Sequence, residues 1–324
     1  MALLQADIKR SDWSSEVGCN DDMIWIPGGT FRMGSNDHYP EEAPVHRVTV
    51  DGFWIERTPV TNRQFKQFVR ATGHRTFAEI PPDPEDYPGA LPHMLYAGSL
   101  VFTPPARVLN LQDWSQWWSF VKGADWRHPS GPKSNINVQD NHPVVHVSFS
   151  DALAYARWAG KDLPTEAEWE FAARGGPDGD EFAWGDEFTP GGVHMANTWQ
   201  GEFPRENLNA DGYECTSPVT AFPTNGYGLH DMIGNVWEWT SDWYAERTAT
   251  VKSCCAQHNP RGGAEARSYD PLFADLTIPR KVMKGGSYLC APNYCRRYRP
   301  AARHPQPIDS ATNHIGFRCV RREP

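Results

Sequence analysis

Fourteen tryptophans share this 324-residue chain with 28 prolines and 27 glycines, and that mixture limits what it can fold into. Each indole gains most by burial, while Gly and Pro interrupt long helices and strands. The expected core is therefore built from large rings set on loops and turns, with little regular secondary structure. At 39% hydrophobic and 22% charged, the chain can bury a substantial core as one large domain or two small ones. Its net charge of −9 argues against nucleic acid and anionic membrane surfaces, which attract surplus Lys and Arg. A protein or small-molecule partner is expected.

The segment Met1 to Asp7 meets charge before any apolar run develops, so no secretory h-region is expected, and no apolar run is long enough to span a bilayer. The expected address is the cytoplasm. Seven cysteines, at positions 19, 215, 254, 255, 290, 295 and 319, are an odd number for a reducing compartment. A full disulfide framework is not expected, and the thiols should be free, reactive or metal-bound.

Met23 to Gly34 reads as two short strands turning at Pro27-Gly28-Gly29, and Val45 to Ile55 as another strand pair around Asp51-Gly52. A helix then starts with Thr61 as N-cap, Gln64 completing a capping box and Val60 stapling to Phe65; Phe65, Phe68, Val69 and Thr72 form its inward stripe before Gly73 ends it. From about 81 to 141 the pattern is that of an extended surface excursion, tacked down by Trp114, Trp117 and Trp118. Val144 to Phe149 is expected as a strand, followed by a helix over about 150–159 and another from Thr165, with Glu168 completing a capping box and Gly175-Gly176 closing it. About 247–280 is expected as a polar loop. No composition break divides residues 23–322, which are expected as one domain after an N-terminal extension over 1–22.

Cys290 and Cys295 are separated by Ala-Pro-Asn-Tyr, too far for a C-x-x-C turn yet close enough for two sulfurs to face one another. Lys284, Arg296, Arg297 and Arg299 flank them, and a positive field favours thiolate. Two thiolates without a third ligand suit the soft ion Cu(I), whereas a structural zinc would need four ligands. On spacing alone a disulfide or two buried thiols remain open beside a metal pair.

The run Lys284-Gly-Gly-Ser-Tyr-Leu-Cys-Ala-Pro-Asn-Tyr-Cys295 through Arg303, with Gly316-Phe-Arg-Cys319, resembles the C-terminal core of formylglycine-generating enzymes, the sulfatase-modifying factor family. Asn225 to Asp242, Leu163 to Glu170 and Ile26 to Gly34 are also similar to it. The resemblance implies one α+β domain with a C-type-lectin-like sulfatase-modifying-factor fold. It implies that Cys290 and Cys295 bind Cu(I), and that the substrate is a cysteine in a Cys-x-Pro-x-Arg segment of an unfolded sulfatase. Molecular oxygen would oxidise it to Cα-formylglycine, with a thiol reductant resetting the cycle. Ser287 and Trp237 match positions lining the pocket, where the residues alone would equally allow a turn hydroxyl and a packed ring.

The resemblance also implies two structural calcium sites, one from Asn197, Thr198, Asp211 and Tyr213, the other from Asp231, Gly234, Val236 and Glu238. Oxygen-rich loops suit that hard cation, although Asp and Asn also cap local turns. His142-Pro-Val-Val-His146 has a spacing similar to the iron ligands of sulfoxide synthases, but the intervening residues read as strand and no ligand-bearing helical domain precedes them. Cys254-Cys255 and Cys319 are expected as free thiols, the position that pairs with Cys319 in secreted relatives being Ala156 here. A non-catalytic binding module is the alternative function, and the cysteine pair is what separates the two.

Overall fold

Turn signals divide the first strands but do not pair them. The computed structural model describes residues 22–87, 89–107, 110–247, 256–272 and 277–323. In it β1 (Met23–Ile26) and β2 (Gly29–Met33) flank the first turn, while β3 (His46–Val50) and β4 (Phe53–Glu56) flank the second. The expected hairpins are replaced by cross-pairing, β1 with β4 and β2 with β3, both antiparallel. Each turn therefore carries the chain from one sheet to another. The two turns lie against each other: a Cβ on Gly28, which has φ +72°, would meet the Val50 carbonyl oxygen at 2.5 Å.

The helices follow their caps closely. In α1 (Asn62–Thr72) the Thr61 side chain and the Gln64 side chain satisfy each other's backbone N–H, and Gly73 closes the helix in the left-handed region. Phe65 and Phe68 are buried and Val69 packs beside them, but Thr72 is exposed and its hydroxyl donates to the Phe68 carbonyl. The excursion from 81 to 141 is more regular than its sequence suggests, since β5 (Gly98–Phe102) and β6 (Trp118–Lys122) pair antiparallel within it. Trp117 is buried against Phe203, whereas Trp114 is 56% exposed.

No strand forms over 144–149. Val144 and Val147 are buried, but His146 takes φ 59°, and its ring is fixed by Ser99 Oγ at 2.7 Å and the Pro129 carbonyl at 2.8 Å. Ser148 instead caps α2 (Phe149–Trp158) with Asp151, and α3 (Glu166–Arg174) begins at the Thr165–Glu168 box. The rest comprises β7 (Trp237–Trp243), β8 (Gln257–His258), β9 (Arg280–Lys284), β10 (His304–Pro307), β11 (Ile315–Gly316) and β12 (Val320–Arg322). The expected loop over 247–280 thus contains β8, which runs parallel to β3.

The main sheet has the order β10-β9-β7-β11, and three-stranded sheets β1-β4-β12 and β2-β3-β8 lie apart from it. All nine residues of α3 are buried, and the helix packs on β2, β3, β7 and β9. This α+β architecture, short of regular elements and rich in buried rings, is what the Trp, Gly and Pro content requires. An ion network fills the space between α3 and β9. Glu170 accepts from Lys284 at 3.0 Å, Arg174 at 2.8 Å and the Gly34 N–H at 2.7 Å, and Glu166 accepts from Arg303 at 2.8 Å and Arg247 at 2.9 Å. Among the described residues no helix is long and apolar enough to cross a membrane.

Candidate active site

β9 delivers the chain to the site and two glycines turn it. Gly285 and Gly286 both have positive φ, and a Cβ on Gly286 would press on the Arg297 carbonyl at 3.0 Å. That close approach lets the incoming segment pass beneath the outgoing one. The Cys290 N–H donates to the Ser287 carbonyl and the Cys295 N–H to the Ala291 carbonyl, each at 2.9 Å. Two successive tight turns therefore bring the sulfurs together.

Sγ of Cys290 and Sγ of Cys295 are 3.2 Å apart, well beyond the ~2.05 Å of a disulfide. Cys290 is buried and Cys295 half-buried, and both line a cavity of about 690 Å³. An aromatic cluster holds the loop from behind: Tyr294 stacks on Phe203 at 4.4 Å and meets Trp117 edge-on at 5.6 Å. The two thiols are electrostatically unequal. A hydrogen bond from Cys290 and the nearby Arg297 guanidinium, 3.9 Å from the sulfur, favour thiolate at Cys295. Burial pushes the Cys290 thiol well up. Of the two, Cys295 is the sulfur favoured as thiolate and Cys290 the one favoured as thiol.

Of the four basic residues that flank the pair in sequence, only Arg297 reaches it. Arg297 is itself clamped by Glu41 at 2.6 Å and by the Tyr39 ring at 3.9 Å. Lys284 is engaged by Glu170, Arg299 by Glu42, and Arg296 by Glu181. The positive field is thus one residue, positioned by an acidic turn over 250 positions upstream in sequence, for which no local signal exists.

Ser287 and Trp237 both line the cavity. Ser287 is fully buried and its hydroxyl oxygen accepts the Leu289 N–H at 3.2 Å, so it serves the turn as well as the wall. Trp237 packs against His304 with ring centroids 5.7 Å apart. The sequence did not mark His304 and His314, which share this wall. Burial, reinforced for His304 by Arg297 and for His314 by His304, lowers both imidazoles to about 3. Both are neutral at physiological pH.

The residues at 197–213 gather around buried oxygens. Asn197 Oδ1 and Thr198 Oγ1 are buried without a hydrogen-bond partner. Asp211 accepts from the Thr198 N–H and from the Gln200 amide, which also donates to the Thr198 carbonyl. Tyr213 joins through its N–H, which donates to Asp211 at 3.0 Å. An unpartnered amide oxygen at Asn197, next in sequence to Thr198 whose N–H binds the Asp211 carboxylate, is the kind of oxygen donor that suits a hard cation.

The 231–238 constellation is arranged differently. Asp231 Oδ1 is also buried without a partner, and burial, opposed by Asn235 and Arg318, raises its carboxyl to about 7. Glu238, however, is held by Arg318 at 2.8 Å and by the Trp169 indole at 2.7 Å, while Gly234 and Val236 are buried in the backbone between them. Among the described residues no group of three or more His, Cys, Asp or Glu side chains surrounds a common metal position. A thiol pair and carbonyl-rich loops fall outside that description.

The remaining candidates are accounted for. Both nitrogens of His146 are engaged within the fold, and His142 Nδ1 bonds Thr216 at 3.0 Å, so the two imidazoles do not form a ligand pair. Cys319 and Ala156 are buried in the same core, and the Cys319 thiol is free. Cys254 and Cys255 lie outside the described residues, while His258 bonds Asp51 at 2.9 Å.

The sulfatase-modifying factor enzyme 1-like domain matches residues 10–323. A formylglycine-generating enzyme of Mycobacterium tuberculosis is 56% identical over 302 residues, covering 92% of this chain and 97% of that one. One of Streptomyces coelicolor is 46% identical over 301 residues, covering 92% and 88%. A Bos taurus relative named as the inactive Cα-formylglycine-generating enzyme 2 is 37% identical, covering 92% and 87%, so the family includes members without the activity. Among solved structures, PvdO from Pseudomonas aeruginosa superposes with a TM-score of 0.61 at 25% identity, covering 94% of this chain and 96% of that one. The chain belongs to the sulfatase-modifying factor enzyme 1-like family.

Proposed function

We propose that this chain oxidises the cysteine of a Cys-x-Pro-x-Arg segment in an unfolded sulfatase to Cα-formylglycine, using Cu(I), molecular oxygen and a thiol reductant. The observation that carries the reading is the pair of unbonded sulfurs, 3.2 Å apart at the wall of a cavity large enough for a peptide segment. Two soft thiol donors fit Cu(I). Copper held by Cys290 and Cys295 would supply the one-electron chemistry that allows oxygen to react with a thiol.

The chain's own residues prepare that site. Arg297, oriented by Glu41, keeps Cys295 ready as a thiolate. Trp237 and Ser287 form a water-poor wall beside the sulfurs, which strengthens every electrostatic contact made there. Converting a cysteine CH2SH to an aldehyde with loss of sulfide consumes oxygen together with two electrons and two protons, which the thiol reductant supplies while the second oxygen atom leaves as water.

We place the catalytic domain at 23–322, after an N-terminal extension over 1–22, and the protein in the cytoplasm without nucleic-acid or membrane partners. Calcium would sit with Asn197, Thr198, Asp211 and Tyr213, a reading supported by the buried Asn197 amide oxygen that has no hydrogen-bond partner among the described residues. A second calcium would use Asp231, Gly234, Val236 and Glu238, with Asp231 as the open ligand. The binding-module alternative is favoured by the existence of an inactive relative. Copper titration separates them: the reduced parent should bind one Cu(I) and the Cys290→Ser/Cys295→Ser double variant none. Full-affinity binding by the double variant would remove the basis of the assignment.

A further inference from the structure

β10 ends the main sheet, paired with β9 alone among the described residues. Its sequence, His304-Pro-Gln-Pro307, fixes which way its backbone faces. Proline has no N–H, so the ladder bonds to β9 belong to His304 and Gln306, and Ile308 continues that register by donating to the Pro279 carbonyl at 3.1 Å. Alternate strand residues point their backbone groups to opposite edges, so the Pro305 and Pro307 carbonyls face away from β9. Pro307 is satisfied by the Ser310 N–H at 3.0 Å. Pro305 is left as an acceptor on an edge without backbone donors, and all of β10 lines the thiol cavity.

A peptide lying along that edge would also need a donor for its carbonyls. Several donors in the cavity wall are already engaged: Arg280 by Asp270 and the Ser268 and Tyr269 carbonyls, Asn293 by Phe203, and Gln306 by Ser310. His304 lies on β10 itself, next to the Pro305 carbonyl. Its ring packs on Trp237, yet neither ring nitrogen has a hydrogen-bond partner among the described residues. A neutral imidazole offers one N–H and one lone pair.

We propose, on the reading above that the substrate is a polypeptide, that the free edge of β10 and the His304 ring form a wall that recognises peptide backbone. Pro305 accepts an N–H of the extended peptide, and His304 donates its ring N–H to a neighbouring peptide carbonyl. Such a wall reads main chain rather than side chains, which tolerates variation at the two x positions of the target segment. It also rejects folded targets, because their backbone groups are already paired. An edge with acceptors but no donors cannot pair with a copy of itself, so the wall carries little risk of strand-to-strand aggregation.

The test measures affinity for a Cys-x-Pro-x-Arg peptide with serine in place of cysteine, so that binding is read without turnover. His304→Phe should weaken binding about three- to tenfold, the range for one hydrogen bond, whereas His304→Gln, which keeps a donor and an acceptor, should retain most of it. N-methylating the peptide amides one at a time on the parent protein should find one position with a similar loss, and this arm stands even if His304→Phe does not fold. Unchanged affinity for His304→Phe together with a flat N-methyl scan overturns the wall, as does a parent that binds no peptide. Aldehyde formation from the cysteine peptide is scored separately: a parent that oxidises it while both arms are flat loses the wall and keeps the function, and a parent that binds without oxidising loses the function while the wall is judged on affinity.

Discussion

Two neighbouring regions concentrate polar groups in this protein, and they are finished to different degrees. Behind β9, Glu166 and Glu170 are met by Lys284, Arg303, Arg247 and Arg174 at hydrogen-bond distance or close to it. Across the same strand, the thiol cavity presents two sulfurs at hydrogen-bond distance and an imidazole, His304, without a hydrogen-bond partner among the described residues. Leaving a buried polar group unpaired costs stability. Behind β9 both carboxylates are met by cations and only Arg174 Nε in that network is left without a partner among the described residues, whereas the cavity side keeps two sulfurs and a half-buried imidazole facing a space that a ligand could fill. The closed region supports the architecture. The open one carries the chemistry.

The largest expected effect falls on the open side. Cys290→Ser or Cys295→Ser should each abolish tight Cu(I) binding and turnover, since one soft ligand cannot hold the ion, while thermal melting stays near that of the parent. Loss of folding in either variant would show that the pair is structural. The closed side should behave in reverse: Glu170→Ala strands Lys284 and Arg174 as buried charges and should cost about 3–5 kcal/mol, measured by urea denaturation. A cost below 1 kcal/mol on that order-of-magnitude scale would mean that water enters the network.

Calcium gives the next largest effect. At about 100 times its dissociation constant a ligand bound only by the folded state adds about 2.7 kcal/mol, and Asp211→Ala should erase the rise in melting temperature that calcium gives the parent. Melting of the parent that ignores both calcium and a chelator would reduce these loops to capped turns. Glu238→Ala should act differently, losing stability with or without calcium because the buried Arg318 loses its carboxylate and keeps only backbone carbonyls as partners.

The smallest effect is a separation of pH windows. Burial lowers His304 and His314 to about 3, so the unfolded chain takes up protons first, and their contribution is present above about pH 6.5 and lost as the pH falls below it. Burial pushes the Glu166 carboxyl up, but Arg303, Arg247 and Lys284 outweigh it and hold the group at about 2. Its contribution survives down to about pH 4.3 and is lost from there towards pH 2. His304→Phe should therefore flatten the upper limb of a stability–pH profile and leave the lower one. An unchanged upper limb would show that the cavity hydrates these imidazoles.

Local chemistry was readable in advance where the cause is local. The boxes Thr61–Gln64 and Thr165–Glu168 and the glycines closing their helices are satisfied within a few residues, and the cysteine pair lies on one short turn. Pairing of β1 to β4 was not readable, because a Pro-Gly turn marks a reversal without saying which sheet receives the next strand. The strand expected at 144–149 failed because His146 is fixed by Ser99 and Pro129, contacts that no periodicity encodes. Arg297 was picked out with three other cations, and what distinguishes it is its reach to the Cys295 sulfur, held in place by Glu41, which is distant in sequence. His304 had no signal at all, since its meaning comes from the edge strand it occupies.

The central claim, that the thiol pair is catalytic, is tested most directly by incubating the copper-loaded parent with a Cys-x-Pro-x-Arg peptide, a thiol reductant and air, then recording the peptide's mass. The account predicts a mass loss at the cysteine, an aldehyde reactive towards hydroxylamine, and neither product with Cys295→Ser. Recovery of the unmodified peptide from the parent, or equal conversion by the parent and Cys295→Ser, would contradict it.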